Sequence, residues 1–220
     1  MNIIITGGLG FIGSHLVQNL ISKNNQITIL SKSKKKISNI RSFQKNLKIN
    51  YLDITKKNLL EKNIEIINPD LIIHLAGQTS HSQSFENPLY DIDINSKSTL
   101  RILETVRKMN KNCKFILGST FVVIGKPNKL PVNENSITNP TTIYGANRLL
   151  SEHYCKIYHD LYGIDTRIFR ITNSFGPNEQ VIPTKNAVNY LIYRAFQGKD
   201  ITIYDNGKFF RDLIYVSDVI

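Results

Sequence analysis

The run GGLGFIG from Gly7 to Gly13 places glycines where a chain has to turn sharply and approach a pyrophosphate. Side chains there would stand in the way, and the unpaired N–H groups at the start of a following helix would hold the negative charge. The glycines fit the G-x-G-x-x-G frame as Gly8, Gly10 and Gly13, or with a wider first step as Gly7, Gly10 and Gly13. They follow the apolar run Ile3, Ile4, Ile5 and precede Phe11, Ile12, Leu16, Val17, Leu20 and Ile21 at helical spacing. That strand, turn and helix context makes the triplet specific for a dinucleotide, with Gly7, Gly10, Phe11, Ile12 and Gly13 as its contacts. A second constellation lies further on. Gly118, Ser119 and Thr120 close another strand-like run, and Tyr144 and Arg148 then follow at i and i+4. Residues so spaced share a helix face, so the phenol and the guanidinium point into one cleft.

Three further strand ends carry candidate cofactor contacts. The second strand closes Ile29, Leu30, Ser31, where an NAD-preferring site places Asp or Glu on the adenosine ribose. Here Ser31 and Lys32 are followed by Ser33 and Lys34, a set that accepts a 2′-phosphate and leans to NADP; a solvated lysine loop is the other reading. Asp53, with Ile54 after it, follows the third strand and either reaches the adenine edge or caps the helix beginning near Lys56. His74, Leu75, Ala76, Gly77 and Gln78 follow the fourth and flank the cofactor, with His74 itself read as a packed, hydrogen-bonded residue.

The elements that must position these residues alternate along the chain. Strand-like runs occur at 2–6, 26–30, 47–51, 71–75, 114–118 and 166–171, with helical patterns notably at 11–23, 91–110 and 143–162. Such alternation predicts an α/β fold, a doubly wound parallel sheet whose ligand crevice lies at the carboxyl ends of the strands. After residue 171 the pattern turns to Asn, Pro and Gly-rich loops, a helix near 184–197 and short strands near 201–204 and 211–215. This divides the chain into a dinucleotide-binding domain at 1–171 and the start of a substrate lobe at 172–220, truncated at its C-terminus.

At 220 residues and 41% hydrophobic, the chain can build one full α/β core but not two large domains. No apolar stretch reaches the ~18 residues that span a bilayer and no basic leader precedes the first strand, so a cytoplasmic protein without membrane contact is expected. Cys113 and Cys155 form no CxxC pair and lie near no His cluster, which predicts reduced structural cysteines and no metal site. The formal charge of +11 would suit a nucleic-acid partner. The lysines are nevertheless scattered through loops without aromatic interleaving, so no nucleic-acid binding is expected.

The segments TGGLGFIGSHL at 6–16, HLAGQTSHSQSFENP at 74–88, LPVNE at 130–134, YGANRLLSEHY at 144–154, RITNSFGPN at 170–178 and RDLIYVSDV at 211–219 occur in an order that resembles the extended short-chain dehydrogenase/reductases. The resemblance covers essentially the whole chain and is closest to the nucleotide-sugar epimerases and dehydratases. It implies a Rossmann fold of the extended type, NAD(P) as cofactor, a nucleotide-diphosphate sugar as substrate, and a homodimer formed through the helices near 91–110 and 143–162. By the same resemblance Tyr144 is the general base that takes a proton from a sugar hydroxyl while hydride leaves the same carbon, most simply C4. A free phenol has a pKa near 10, so a nearby cation is needed to favour the phenolate. Thr120 would hold the substrate oxygen, and Ser84, Asn173 and Arg211 would touch substrate, while Asn95 would order the active-site backbone.

The family pattern is Tyr-x-x-x-Lys, and Arg148 stands at the Lys position. It keeps the charge but not the compact ammonium, which implies retained, altered chemistry; the alternative is that Arg148 pairs with Glu152 on an exposed helix face and catalysis is lost. Phe121 and Val122 occupy the places where 4,6-dehydratases of this kind carry Asp-Glu, which disfavours dehydration, and Ile124 stands where the family has Tyr before Gly125. Epimerisation and keto-sugar reduction both stay open, as does a non-catalytic NAD(P)-binding protein.

Overall fold

The structure, a computed structural model, describes residues 1–109, 112–182, 187–203, 205–208 and 210–220. Six parallel strands, β1 (Asn2–Thr6), β2 (Gln26–Ser31), β3 (Lys48–Tyr51), β4 (Leu71–His74), β5 (Lys114–Thr120) and β6 (Thr166–Ile171), form one sheet in the order β3-β2-β1-β4-β5-β6. The order reverses between β1 and β4, so a crevice opens at their carboxyl ends. This is the doubly wound Rossmann-type sheet that the alternation predicts.

Central parallel strands are covered on both faces and therefore read as continuous apolar runs. In β1, Ile3 and Ile5 enter one core with Val17 of helix α1 (Phe11–Ile21), Ile27, Ile29 and Ile73. Ile4 enters the other with Ile72, Phe115 and Leu117, and with residues of α2 (Lys57–Ile67), α5 (Ser98–Met109) and α6 (Ile143–Tyr162). Cys113 and Cys155 are buried thiols, and burial pushes the Cys155 thiol up to about 12, as suits structural cysteines.

The expected helix at 91–110 is built differently. Two short helices, α3 (His81–Glu86) and α4 (Pro88–Ile92), lead into a π turn at Asp93–Lys97 before α5, and Asn110 lies outside the described residues. Beyond β6, strand β7 (Asn173–Phe175) pairs in parallel with β8 (Leu213–Tyr215), a two-stranded sheet apart from the main one. Helix α7 (Ala187–Phe196) covers the described part of the helix expected at 184–197, whose residues 184–186 lie outside the description. Residues 201–203 form no strand, and Tyr204 is not among the described residues. The chain closes in α8 (Val216–Val219). Among the described residues no helix is long and apolar enough to cross a membrane.

His74 ties the sheet to the helical layer from a fully buried position. The Thr6 hydroxyl accepts from the Ala76 N–H at 3.1 Å and so donates to Nδ1 at 2.7 Å. The Ser98 hydroxyl donates to the Ile94 carbonyl at 2.6 Å and so accepts from Nε2–H at 3.3 Å. The neutral ring is thus satisfied at both nitrogens, and burial, aided by the Arg148 charge, lowers its pKa to about 3. The unfolded chain takes up that proton near pH 6.5 and the native one does not, so stability present above about 6.5 is lost as pH falls toward 3, at about 1.4 kcal/mol per pH unit. Between pH 7 and 5 the native chain should lose about 2 kcal/mol more unfolding free energy than His74→Gln, measured by urea titration at both pH values.

Candidate functional site

At the β1–α1 turn, backbone comes against backbone. Gly7 has φ of +73°, and a Cβ there would lie 2.8 Å from the Ala76 nitrogen. A Cβ on Gly13 would run into the Gly7 carbonyl oxygen and lie 2.8 Å from the Gly8 Cα. Gly8 differs: its Cβ would meet only the Ile29 side chain, at 3.0 Å. The geometry therefore selects the frame Gly7, Gly10, Gly13. Gly10 caps α1 in extended conformation, without a capping side chain or an acidic residue in the first turn. The N–H groups of Phe11, Ile12 and Gly13 thus begin the helix without intrahelical partners and face a cleft of about 690 Å³.

One end of that cleft is walled by Ser31, Lys32, Asp53 and Ile54. The Lys32 ammonium lies 2.8 Å from the Asp53 carboxylate and 5.3 Å from the centre of the Tyr90 ring. Asp53 also accepts from the Thr55 N–H at 2.9 Å and its hydroxyl at 2.8 Å. Partial burial works against the Asp53 charge, but the Lys32 and Thr55 hydrogen bonds outweigh it and hold the carboxyl below its ordinary range. The Asp53 bond in turn holds the Lys32 ammonium above its own. Asp53 thus lines the cleft and orders the turn ahead of α2, but it does not cap that helix as the sequence allowed: Lys56 is the N-cap, with no side-chain capping bond. Lys35 and Lys36 also reach the wall.

The other end gathers Leu75, Ala76 and Gly77 after β4, Thr120 closing β5, Asn173 opening β7, and Tyr144 and Arg148 on α6. Thr142 starts α6 by accepting the Gly145 N–H at 3.0 Å, which puts Tyr144 in the first turn. Tyr144 and Thr120 are each 7% exposed and Arg148 3%. The Arg148 guanidinium donates to the Gly118 carbonyl. Its Nε and the Asn95 Oδ1 are buried without a hydrogen-bond partner among the described residues, and both side chains flank Gly77, whose Cβ would lie 2.6 Å from that Oδ1. The floor of the cleft therefore presents an unmet donor, an unmet acceptor and a bare glycine.

One alternative is overturned, and two of the residues expected at substrate lie off the cleft wall. Arg148 does not pair with Glu152 on an exposed face: both are buried, and Glu152 is engaged by Arg170 of β6 at 2.7 Å and by the Ser119 hydroxyl at 2.5 Å. Ser84, expected at substrate, is wholly buried in α3, where its hydroxyl donates to the His81 carbonyl at 2.7 Å, away from the cleft wall. Arg211 is exposed, with Nη1 donating to the Phe210 carbonyl at 2.8 Å, and lies outside the wall. Asn173 does line the cleft and also ties β7 to the Asp212 carbonyl at 3.2 Å. Among the wall residues that were not anticipated, which include Thr79, Glu179 and Gln180, His81 stands edge-on to the Tyr144 ring, with centroids 5.6 Å apart. Its position just after the β4 loop was the available signal.

Residues 3–220 match the NAD dependent epimerase/dehydratase family. The sequence is 36% identical over 217 residues to a putative UDP-glucose 4-epimerase of Methanocaldococcus jannaschii, across 99% of this chain and 70% of that relative. A crystal structure of UDP-glucose 4-epimerase from Thermotoga maritima with UDP-glucose superposes with a TM-score of 0.92 at 30% identity, covering 100% of this chain and 71% of that one. The UDP-glucuronic acid 4-epimerase of Bacillus cereus, in complex with UDP-glucuronic acid and NAD, gives 0.88 at 28%, covering 100% and 70%.

The turn geometry separates two neighbouring glycines. Gly13→Ala should cost about 1–3 kcal/mol because backbone atoms must give way, whereas Gly8→Ala displaces only the Ile29 side chain and should cost less. Denaturant midpoints of the two variants check the order.

Proposed function

This chain belongs to the NAD-dependent epimerase/dehydratase family, and from that premise we propose that it is an NAD(P)-dependent enzyme acting on a nucleotide-diphosphate sugar, an epimerase or keto-sugar reductase working at one sugar carbon, C4 in the simplest case. The observation that supports this reading is the convergence of Thr120, Tyr144 and Arg148 on the floor of the cleft that the glycine turn opens. The residues fit a dinucleotide: a bare turn at Gly7 and Gly13, unpartnered helix N–H groups, and orphaned polar atoms beside Gly77.

When bound, the nicotinamide supplies the hydride acceptor and donor. Gly7, Gly10, Phe11, Ile12 and Gly13 would hold the pyrophosphate, Ser31, Lys32, Asp53 and Ile54 the adenosine, and Leu75, Ala76 and Gly77 the nicotinamide end. Tyr144 would take the proton from the sugar hydroxyl whose carbon loses hydride. Thr120 would hold that oxygen in line, and Arg148 would supply the fixed positive charge on the same helix face. Asn173 would contact substrate from the first strand of the lobe beginning at residue 172. Phe121 and Val122 bring no carboxylate to the wall, which argues against water elimination. Lys35 and Lys36 in the wall favour NADP, while the engagement of Lys32 by Asp53 reduces the charge available for a 2′-phosphate. A homodimer through α5 and α6 accompanies this reading.

Incubation with UDP-sugars and either nicotinamide cofactor should yield the C4 epimer without net cofactor change, or incubation with UDP-4-keto-sugars and NADPH should yield the reduced sugar with NADPH consumed. Tyr144→Phe should lower turnover by about 10²–10⁴-fold while leaving cofactor affinity, followed by NADPH and NADH fluorescence, unaltered. Full turnover by Tyr144→Phe would overturn the assignment.

A further inference from the structure

Arg148 and Glu152 stand at i and i+4 on α6, the spacing at which opposite charges reach each other, and both are buried. They do not meet. The Glu152 carboxylate is filled by other donors: Arg170 Nε at 3.1 Å from each oxygen, Arg170 Nη2 at 2.7 Å from Oε2, and the Ser119 hydroxyl at 2.5 Å from Oε1. Ser119 and Arg170 can converge on it because they are directly paired across the β5–β6 ladder and so project from the same side of the sheet. Arg148 turns the other way, to the Gly118 carbonyl and Gly77, with its Nε unpartnered.

A buried carboxylate must find a cation, and a buried guanidinium a carboxylate, unless geometry forbids it. Without Arg170, Glu152 would keep only the Ser119 hydroxyl among these partners, and the guanidinium one helical turn away would be the cation in reach. We infer that Arg170 is a positioning residue: by engaging both Glu152 oxygens through the Nε and Nη2 edge of its guanidinium, while Nη1 donates to the Glu134 carbonyl at 3.2 Å, it stops that carboxylate from capturing Arg148 and so keeps the Arg148 charge in the cleft. Arg170 acts through Glu152 and touches neither Tyr144 nor Thr120 among the hydrogen bonds and ion pairs described. The fork is suited to this, since one planar group satisfies both carboxylate oxygens. The inference rests on the proposed role of Arg148 for its effect on turnover, but not for its effect on where the guanidinium lies.

The test compares Arg148→Met, Arg170→Met, Arg170→Met with Glu152→Gln, and Arg170→Lys in the full chain. Arg170→Met should slow turnover as much as Arg148→Met does, on the order of 10²-fold for a displaced site group. The double variant should recover toward the unaltered rate, because a neutral Gln makes no claim on Arg148, and Arg170→Lys should retain part of the rate. If the double variant is as slow as Arg170→Met, the pair serves only to hold α6 on β6 and the inference is overturned; it is also overturned if Arg170→Met is unimpaired where Arg148→Met is slow. If Arg148→Met turns over normally, or no variant turns over, the proposed role of Arg148 fails separately. The crystal structure of Arg170→Met, or of the protein with Arg170→Leu should Met not fold, then decides the inference: guanidinium on Glu152 supports it, and guanidinium still on the Gly118 carbonyl overturns it.

Discussion

The strand order β3-β2-β1-β4-β5-β6 requires the connections from β1 and β4 to leave the sheet in opposite directions, and a gap must open where they part. Everything chemical in the chain is arranged around that gap. Three backbones approach it, and each does so without a side chain at its nearest point: Gly7 against Ala76, Gly13 against Gly7, and Gly77 against Asn95. Close approach removes the bulk that would fill the crevice. It also leaves helix N–H groups and buried polar atoms turned inward without partners among the described residues, the arrangement that an elongated anionic ligand would need.

The opposite bank is set by how α6 seats on the sheet. A buried polar network does this, running from Asp91 to Gln78 at 2.9 Å and Asn147 at 2.7 Å, from Ser96 to the Asn147 carbonyl at 2.9 Å, and from Ser151 to the Asn95 carbonyl at 2.6 Å. Within the π turn at Asp93–Lys97 the Asn95 carbonyl accepts from the Ser151 hydroxyl and from the Thr99 hydroxyl at 3.2 Å, while its side-chain amide donates to the Gln78 carbonyl at 3.0 Å. Hydrogen bonds of this kind contribute modestly to stability when met but are costly when broken. Their consequence here is register: α6 cannot slide along the sheet without orphaning several groups, so Tyr144 and Arg148 stay opposite Thr120.

The glycine turn, the six strands and the long α6 were legible because each is a local pattern: apolar periodicity broken by glycine at a strand end. What escaped was non-local. The π turn disturbs helical periodicity by one residue, which no window of residues 88–109 announces. Ser84 lies in a segment of family-like sequence, but α3 turns its hydroxyl inward, and sequence spacing carries no information on which way so short a helix faces. The short run at 201–203 pairs with no strand among the described residues, whereas Leu213–Tyr215 finds Asn173–Phe175. Strand identity there depends on the partner and not on the run.

Glu152 is the most instructive case. On sequence grounds alone its nearest cation is Arg148, and a pairing that would silence the site stays open as the alternative at that spacing. The sheet changes the outcome, because β6 brings Arg170 directly beside Ser119, and a bidentate fork plus a hydroxyl outcompetes a single neighbour on the same helix. A lysine at residue 170 would offer one point charge to two oxygens. The choice between a silenced and an open Arg148 is thus made by the register of two parallel strands, at a site where helix propensity, charge spacing and burial all permit either answer.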